Sequence, residues 1–145
     1  MVTATRLTLA YPALFTPEED GYSIAFPDLE GCFSEGDTFD EARSNAREAL
    51  SGYLESIFIR GFVIPPVTDP ASLDGDVHLI KPLLHVSVPL LIRLARTQAG
   101  LTQEEVAQEI GTSYQNYQRW ENPRTCNISL KNLEKLCEIL NCELM

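Results

Sequence analysis

The periodicity of apolar residues changes once along this chain of 145 residues, and that change limits the possible folds more than any other feature. In the first part, short alternating stretches separated by Pro, Gly and acidic turns are typical of β-strands. In the last part the spacing is helical throughout. The formal charge changes at the same place, from −9 over residues 1–88 to −1 over residues 89–145. We therefore predict two domains, 1–83 and 89–145, joined by a linker at 84–88.

The first domain is predicted to have the element order βββαβ, an α+β fold. Thr38 and Glu41 have the spacing of a capping box and mark the start of its helix. Apolar residues then recur at helical spacing as far as Ile57, so one face of the helix can lie on a sheet. The predicted strands are Arg6–Phe15, Tyr22–Phe26, Cys32–Gly36 and, after the helix, Val77–Ile80.

The second domain is predicted to be wholly α-helical and to contain a helix-turn-helix. Thr102 and Glu105 form a second capping box, Ala107 is small enough for two helices to approach, and Gly111 supplies a sharp turn. Gln115 stands at the capping-box position for Thr112, the expected start of the next helix. Helices are expected from Leu90 to about Gly100, from Thr102 to Ile110, from Thr112 to about Asn122, and from Ser129 to Leu140.

The third of these helices has two different faces. Tyr117 and Trp120 are predicted to face the core. Gln115, Arg119 and Asn122 share the opposite side, which carries no Asp or Glu. Amide and guanidinium donors suit the edges of bases and the phosphates of DNA. The alternative for each of these polar residues is plain solvated surface.

The stretch LTQEEVAQEIGTSYQNYQRWEN resembles the helix-turn-helix of the Cro/phage-repressor (Xre) family. This resemblance covers about 55 residues and implies that the start of the third helix enters the major groove of DNA. It implies an ion pair between Arg96 and Glu121 that is structural. By position it implies base contacts from Tyr114, Gln115 and Arg119, and phosphate contacts from Gln103, Asn122 and Arg124. Asn116, next to Gln115, is a further candidate for a base contact.

Two features depart from that family. Pro123 stands where relatives often have Gly, so the loop after the third helix is expected to differ. The domain is also net −1, far from basic. Since phosphate contacts dominate affinity for DNA, one such domain is expected to bind weakly and to need a homodimer or homotetramer.

The first domain resembles the HicB antitoxin domain. The resemblance rests on Gly21-Tyr22, on the stretch from Phe26 to Cys32, and on Gly36-Asp37-Thr38 followed by Glu41-Ala42. It implies a partial ribonuclease-H-like fold that binds and blocks HicA, a small basic ribonuclease toxin. Members commonly carry an appended DNA-binding module that represses the toxin–antitoxin operon.

Acidic residues at the predicted turns of the first domain form an acidic rim. Such a rim would attract a cationic protein over a distance and mimic a phosphate backbone. Catalysis by a ribonuclease-H-type site would need several carboxylates converging on two metal ions, and only turn acids are present, so no enzyme is expected. The candidate toxin-binding residues are Glu18, Glu19, Asp20, Asp28 and Glu30.

Other features exclude several classes of protein. The four cysteines form no CxxC pair, and both His residues lie far from them, so no metal site or cofactor is expected. No apolar run reaches the length of a membrane helix, and no secretion signal is recognisable, which favours the cytoplasm. The sequence therefore predicts an antitoxin and repressor with two partners, a HicA-like ribonuclease toxin and operator DNA. The alternatives are a stand-alone transcription regulator with a ligand-sensing first domain, and a degenerate hydrolase.

Overall fold

The computed structural model describes residues 4–144, which divide into two compact units. The sheet unit comprises residues 9–83. The helical unit comprises residues 84–144 together with 4–8, which include the first strand, β1 (Thr5–Leu7).

The sheet unit is a four-stranded antiparallel sheet with one helix. Its strands are β2 (Tyr11–Glu18), β3 (Gly21–Ala25), β4 (Phe33–Gly36) and β5 (Asp76–Ile80), and the helix α1 (Phe39–Ile59) lies between β4 and β5 in the chain. The strand order β4-β3-β2-β5 leaves β4 and β5 at the two edges. Leu14 of β2 pairs with Ala25 on one side and with Val77 on the other. The predicted α+β class and the order βββαβ are confirmed.

The core of the sheet unit lies between α1 and one face of the sheet. Ala42, Ala46 and Leu50 recur every four residues on α1 and are fully buried. At the start of the helix the ring of Phe39 lies 5.1 Å from that of Phe15 and 5.0 Å from that of His78. Two small residues followed by larger ones let the first half of α1 approach the strands closely, as close packing requires.

The irregular segment between α1 and β5 is held by hydrogen bonds to the sheet. The Tyr11 hydroxyl donates to the carbonyl oxygen of Pro65 at 2.6 Å. Asp28 accepts from both the backbone N–H and the hydroxyl of Thr68. A single 3-10 turn, Pro70–Ser72, is capped by the side chain of Asp69.

The helical unit contains four helices and one short parallel strand pair. Its helices are α2 (Leu84–Gln98), α3 (Gln103–Ile110), α4 (Tyr114–Trp120) and α5 (Leu130–Leu140). The last strand, β6 (Cys142–Leu144), pairs with β1 in parallel, with Arg6 opposite Glu143. Both ends of the described chain therefore meet in this unit.

The structure differs from the sequence-based boundaries in three places. The expected strand Arg6–Phe15 is two strands, and the first of them pairs with β6, a strand that the sequence analysis did not predict. The expected linker 84–88 is the first turn of α2. α4 is capped by Ser113, whose hydroxyl accepts from the backbone N–H of Asn116, whereas the hydroxyl of the expected cap, Thr112, accepts from the side-chain amide of Asn116. No helix within residues 4–144 is long and apolar enough to cross a membrane.

Candidate functional site

The turn between α3 and α4 is fixed by local chemistry. The Thr102 hydroxyl accepts from the N–H of Glu105, and the Glu105 carboxylate accepts from the N–H of Thr102, so the expected capping box is complete. Gly111 ends α3 with a φ of +86° in the left-handed region. Its N–H bonds to Ala107 and Gln108, and the chain reverses there into α4. These bonds set the angle at which α4 is presented.

A buried ion pair lies beneath α4. Arg96 Nε donates to Glu121 Oε2 at 2.6 Å and Arg96 Nη2 donates to Glu121 Oε1 at 3.1 Å. The third contact of the guanidinium is the carbonyl oxygen of Leu101 at 2.9 Å. The side chain of Glu121 is only 2% exposed and that of Arg96 13% exposed. The resemblance implied a structural pair, and the two residues form one with bidentate geometry.

This pair holds a third residue in place. Gln103 Nε2 donates to Glu121 Oε1 at 3.1 Å. The amide oxygen of Gln103 accepts from the Tyr114 hydroxyl at 3.4 Å and from Gln118 Nε2 at 3.5 Å. Gln103 therefore joins the start of α3 to α4 through its side chain. Sequence reasoning missed Gln118, although its position one helical turn after Tyr114 places both on one face.

Tyr117 completes the support of α4. Its ring lies 5.8 Å from that of Trp120, in an edge-to-face arrangement. Both residues are buried, as expected from the helical spacing. Burial raises the pKa of the Tyr117 hydroxyl well above its usual value, and the neighbouring Glu121 carboxylate raises it further. Among residues 4–144 this hydroxyl has no hydrogen-bond partner of ordinary distance and angle.

The predicted DNA-contacting residues fall into two groups. Tyr114, Gln115 and Arg119 are exposed on α4, which carries no acidic residue. Asn116 is half-buried, and its amide donates to the Thr112 hydroxyl at 2.8 Å. Asn122 lies beyond the end of α4, where its side chain accepts from the N–H of Arg124 at 2.9 Å. Within residues 4–144 the side chains of Gln115 and Arg119 make no hydrogen bond or ion pair, whereas Tyr114 bonds to Gln103, and Asn116 and Asn122 also stabilise turns.

Six of the 14 acidic residues of the sheet unit gather at the end of the sheet where β2 turns into β3 and where β4 leads into α1. Three of the predicted toxin-binding residues form the β2–β3 turn, where Glu18 accepts from the Ser23 hydroxyl at 2.9 Å. They line an open concavity together with acids from β4, from the first turn of α1 and from the short segment between these two elements. We call this the acidic concavity; its carboxylates are Glu18, Glu19, Asp20, Glu35, Asp37 and Glu41.

Two predicted toxin-binding residues lie outside the acidic concavity. Asp28 is half-buried and bonds to Thr68, so it ties the β3–β4 turn to the segment before β5. Glu30 is exposed next to it, and its carbonyl oxygen accepts from the Tyr53 hydroxyl at 3.0 Å. Glu41 also belongs to the concavity, whereas its spacing from Thr38 in the sequence indicates only a capping role. Its backbone N–H donates to the hydroxyl of the capping residue Thr38, while its side chain lines the concavity.

Comparison with known proteins gives a match for each unit. Residues 11–79 match the family described as HicB-like antitoxin of bacterial toxin-antitoxin system, and residues 92–145 match the helix-turn-helix family. Antitoxin HicB of Escherichia coli (strain K12) is 32% identical over 77% of this chain and 79% of its own length. Antitoxin HicB 1 of Photorhabdus laumondii is 33% identical over 77% of this chain and 69% of its own length.

Solved structures include a HicA3 and HicB3 toxin-antitoxin complex, 29% identical, which covers 52% of this chain and 99% of its own, with a TM-score of 0.46. The family assignment depends instead on the sequence relatives, which extend across both units. The HicB family consists of antitoxins rather than enzymes. On its identity and coverage with these relatives, the chain belongs to the HicB antitoxin family.

Proposed function

We propose that this chain is the cytoplasmic antitoxin of a type II toxin–antitoxin system. Its sheet unit binds and occludes a small basic HicA-like mRNA ribonuclease, and its helical unit represses the operon by binding operator DNA. The observation that carries the proposal is the separation of charge: one unit concentrates carboxylates around a single concavity, and the other presents a helix without acids.

The toxin-binding half of the proposal depends on the acidic concavity. Six carboxylates around one open surface create a negative potential that attracts a cationic protein and speeds its association. A ribonuclease that binds the phosphates of RNA presents cations at its active site, so the same surface would cover the residues that cleave RNA. Inhibition is then occlusion, and it needs no chemistry from the antitoxin.

The DNA-binding half depends on the support beneath α4. The Arg96–Glu121 pair and Gln103 fix α4 against α3, so that Tyr114, Gln115 and Arg119 face outwards from a rigid element. Gln103 retains a second amide hydrogen for a phosphate, and Arg124 lies just beyond α4. Because this part of the chain is close to neutral, two copies binding two half-sites would be needed for tight binding.

Co-expression tests the toxin-binding half. The chain is expressed with the product of the neighbouring reading frame, and growth and complex formation are followed. We expect the neighbour to be a small basic protein that stops growth alone, and we expect the chain to bind it and restore growth. Failure of the chain to restore growth, with both proteins soluble, would contradict the assignment.

Operator binding is tested with Arg119→Ala. We expect the variant to bind operator DNA about 1–3 kcal/mol more weakly in a gel-shift titration, the usual size of a bidentate base contact. Lys131→Ala is the matched control, because it removes an exposed cation from α5 instead. If Arg119→Ala binds operator DNA as tightly as the wild type, Arg119 does not read bases.

A further inference from the structure

The β5 edge of the sheet unit carries a cationic groove that the proposed function does not use. It lies between the first half of α1 and the end of β5 and has a volume of about 430 Å³. We call it the β5-edge groove; its lining residues are Asp40, Arg43, Ser44, Arg47, Leu79, Ile80 and Lys81.

The concentration of positive charge there is unusual for this chain. Residues 9–83 contain 14 acidic and only four basic residues, and three of those four line the β5-edge groove. The fourth, Arg60, lies at the end of α1 with its guanidinium 5.0 Å from the centre of the Phe62 ring.

None of the three cations is neutralised. Within the part of the chain that the structure describes, no carboxylate lies at ion-pair distance from Arg43, Arg47 or Lys81, including Asp40 in the same groove. Apart from Asp40 the lining holds no negative charge, and like charges on one face of a helix repel one another, so an anion bound there would be stabilised.

The donor groups of the groove are also partly held in position by contacts within the sheet unit. Arg47 Nε donates to the carbonyl oxygen of Lys81 at 3.2 Å, which links α1 to the end of β5. The two terminal nitrogens of Arg47 remain available as donors. Arg43 precedes it by one helical turn, so both guanidiniums lie on the same face of α1. Ser44 adds a hydroxyl, and Ile80, buried at 2% exposure, forms an apolar floor.

We propose that the β5-edge groove binds phosphate groups. Guanidinium groups recognise phosphate through paired, charge-assisted hydrogen bonds, and a nearby lysine adds charge without a fixed geometry. The phosphates come either from a nucleic-acid backbone or from a small phosphorylated ligand of the size that this volume admits. Either source makes the sheet unit a second anion-binding element beside the helix-turn-helix.

The test uses the full chain and two probes. Pyrophosphate is titrated while the amide signals of residues 40–47 and 79–81 are followed by NMR. A DNA duplex without operator sequence is titrated at several salt concentrations. Both titrations are repeated on the triple variant Arg43→Gln, Arg47→Gln, Lys81→Gln. Arg60→Gln is the matched control, since it removes one positive charge outside the groove.

We expect pyrophosphate to shift these amides in the wild type and in Arg60→Gln, and to bind at least about tenfold more weakly to the triple variant. Asp40→Asn is expected to bind pyrophosphate more tightly, because it removes the only carboxylate of the lining. If the source is nucleic acid, the slope of log Kd against log salt falls by about 2–3 in the triple variant.

If the triple variant no longer responds to pyrophosphate but keeps the salt dependence of DNA binding seen in the wild type, the groove binds a small phosphorylated ligand. Absence of any amide shift with pyrophosphate, together with an unchanged slope, overturns the proposal. Neither probe requires the toxin or the operator, so failure here is distinguishable from failure of the antitoxin assignment.

Discussion

At the scale of single residues, Arg96 and Glu121 form a buried, bidentate ion pair in the helical unit. Glu121 accepts from Arg96 twice and from Gln103 once, at 2% exposure. Both charged groups are largely shielded from water. Removing one residue therefore leaves the charge of the other buried without a counter-charge. The pair was foreseen only through family resemblance, because no local rule links residues 25 positions apart.

We expect Arg96→Ala to destabilise the helical unit by about 3–5 kcal/mol, the usual cost of leaving a buried charge unpaired. Fluorescence of Trp120, the single tryptophan of the chain, reports unfolding of this unit selectively. Arg6→Ala is the control: it breaks an ion pair with Glu143 whose side chains are 68% and 53% exposed, and should cost less than about 1 kcal/mol. Equal effects of the two substitutions would show that the buried pair adds nothing beyond a surface one.

Tyr11 makes the sheet unit sensitive to alkaline pH. Burial, with a smaller effect of Asp28, raises the pKa of its hydroxyl to about 12, from 10 in an unfolded chain. A raised pKa means that folding favours the neutral phenol, so its stabilisation is complete below pH 10 and is lost as the pH rises towards 12. We expect the stability advantage of the wild type over Tyr11→Phe, measured by denaturation, to shrink between pH 8 and pH 11. An advantage independent of pH would contradict this account.

At the scale of elements, local signals predicted local structure and failed where partners are distant. The capping box of Thr102 and Glu105 and the turn at Gly111 need only a few neighbouring residues, and both were predicted correctly. The pairing of β1 with β6 joins opposite ends of the chain, and nothing near Thr5 or Cys142 in sequence encodes it. The hydrogen bond from Thr68 to Asp28 also joins residues far apart in the sequence. The sequence therefore did not predict that Asp28 lies apart from the other turn acids.

The contact between β4 and α1 depends on a glycine. A Cβ at Gly36 would collide with the backbone N of Ala42 and lie 2.6 Å from its Cα. We expect Gly36→Ala to destabilise the sheet unit by about 1–3 kcal/mol, since backbone must move. Gly52→Ala, in the exposed middle of α1 with no atom near the new methyl, should instead stabilise it by about 0.5–1 kcal/mol.

Denaturation followed by the NMR signals of α1 distinguishes the two glycine substitutions, with Trp120 fluorescence as an internal reference that neither should change. The geometry predicts that the free energy of unfolding falls in Gly36→Ala and rises in Gly52→Ala. If Gly36→Ala leaves the free energy of unfolding unchanged, β4 and the start of α1 can move apart without loss of stability.

At the scale of the whole molecule, the two surfaces of the proposed function belong to separate units, each with its own core. The sequence predicted a strand-rich first part followed by a helical second part. It did not predict that β1 belongs with the helical unit, nor that Glu41 joins the acidic concavity, because both depend on contacts between distant segments. Because the units are separate, we expect that a substitution can impair one proposed activity without the other: Arg119→Ala should weaken operator binding and leave toxin binding unchanged.

The most direct measurement is the residual ribonuclease activity of the purified toxin as the full chain is added. We predict that the wild type and Arg119→Ala abolish the activity at the same fixed stoichiometry. Lysine substitutions at Glu18, Glu19 and Asp20 together should slow association at least about tenfold at low salt, where screening is weakest. The account is contradicted if the wild type leaves the ribonuclease active, or if Arg119→Ala loses inhibition while the lysine variant retains it in full.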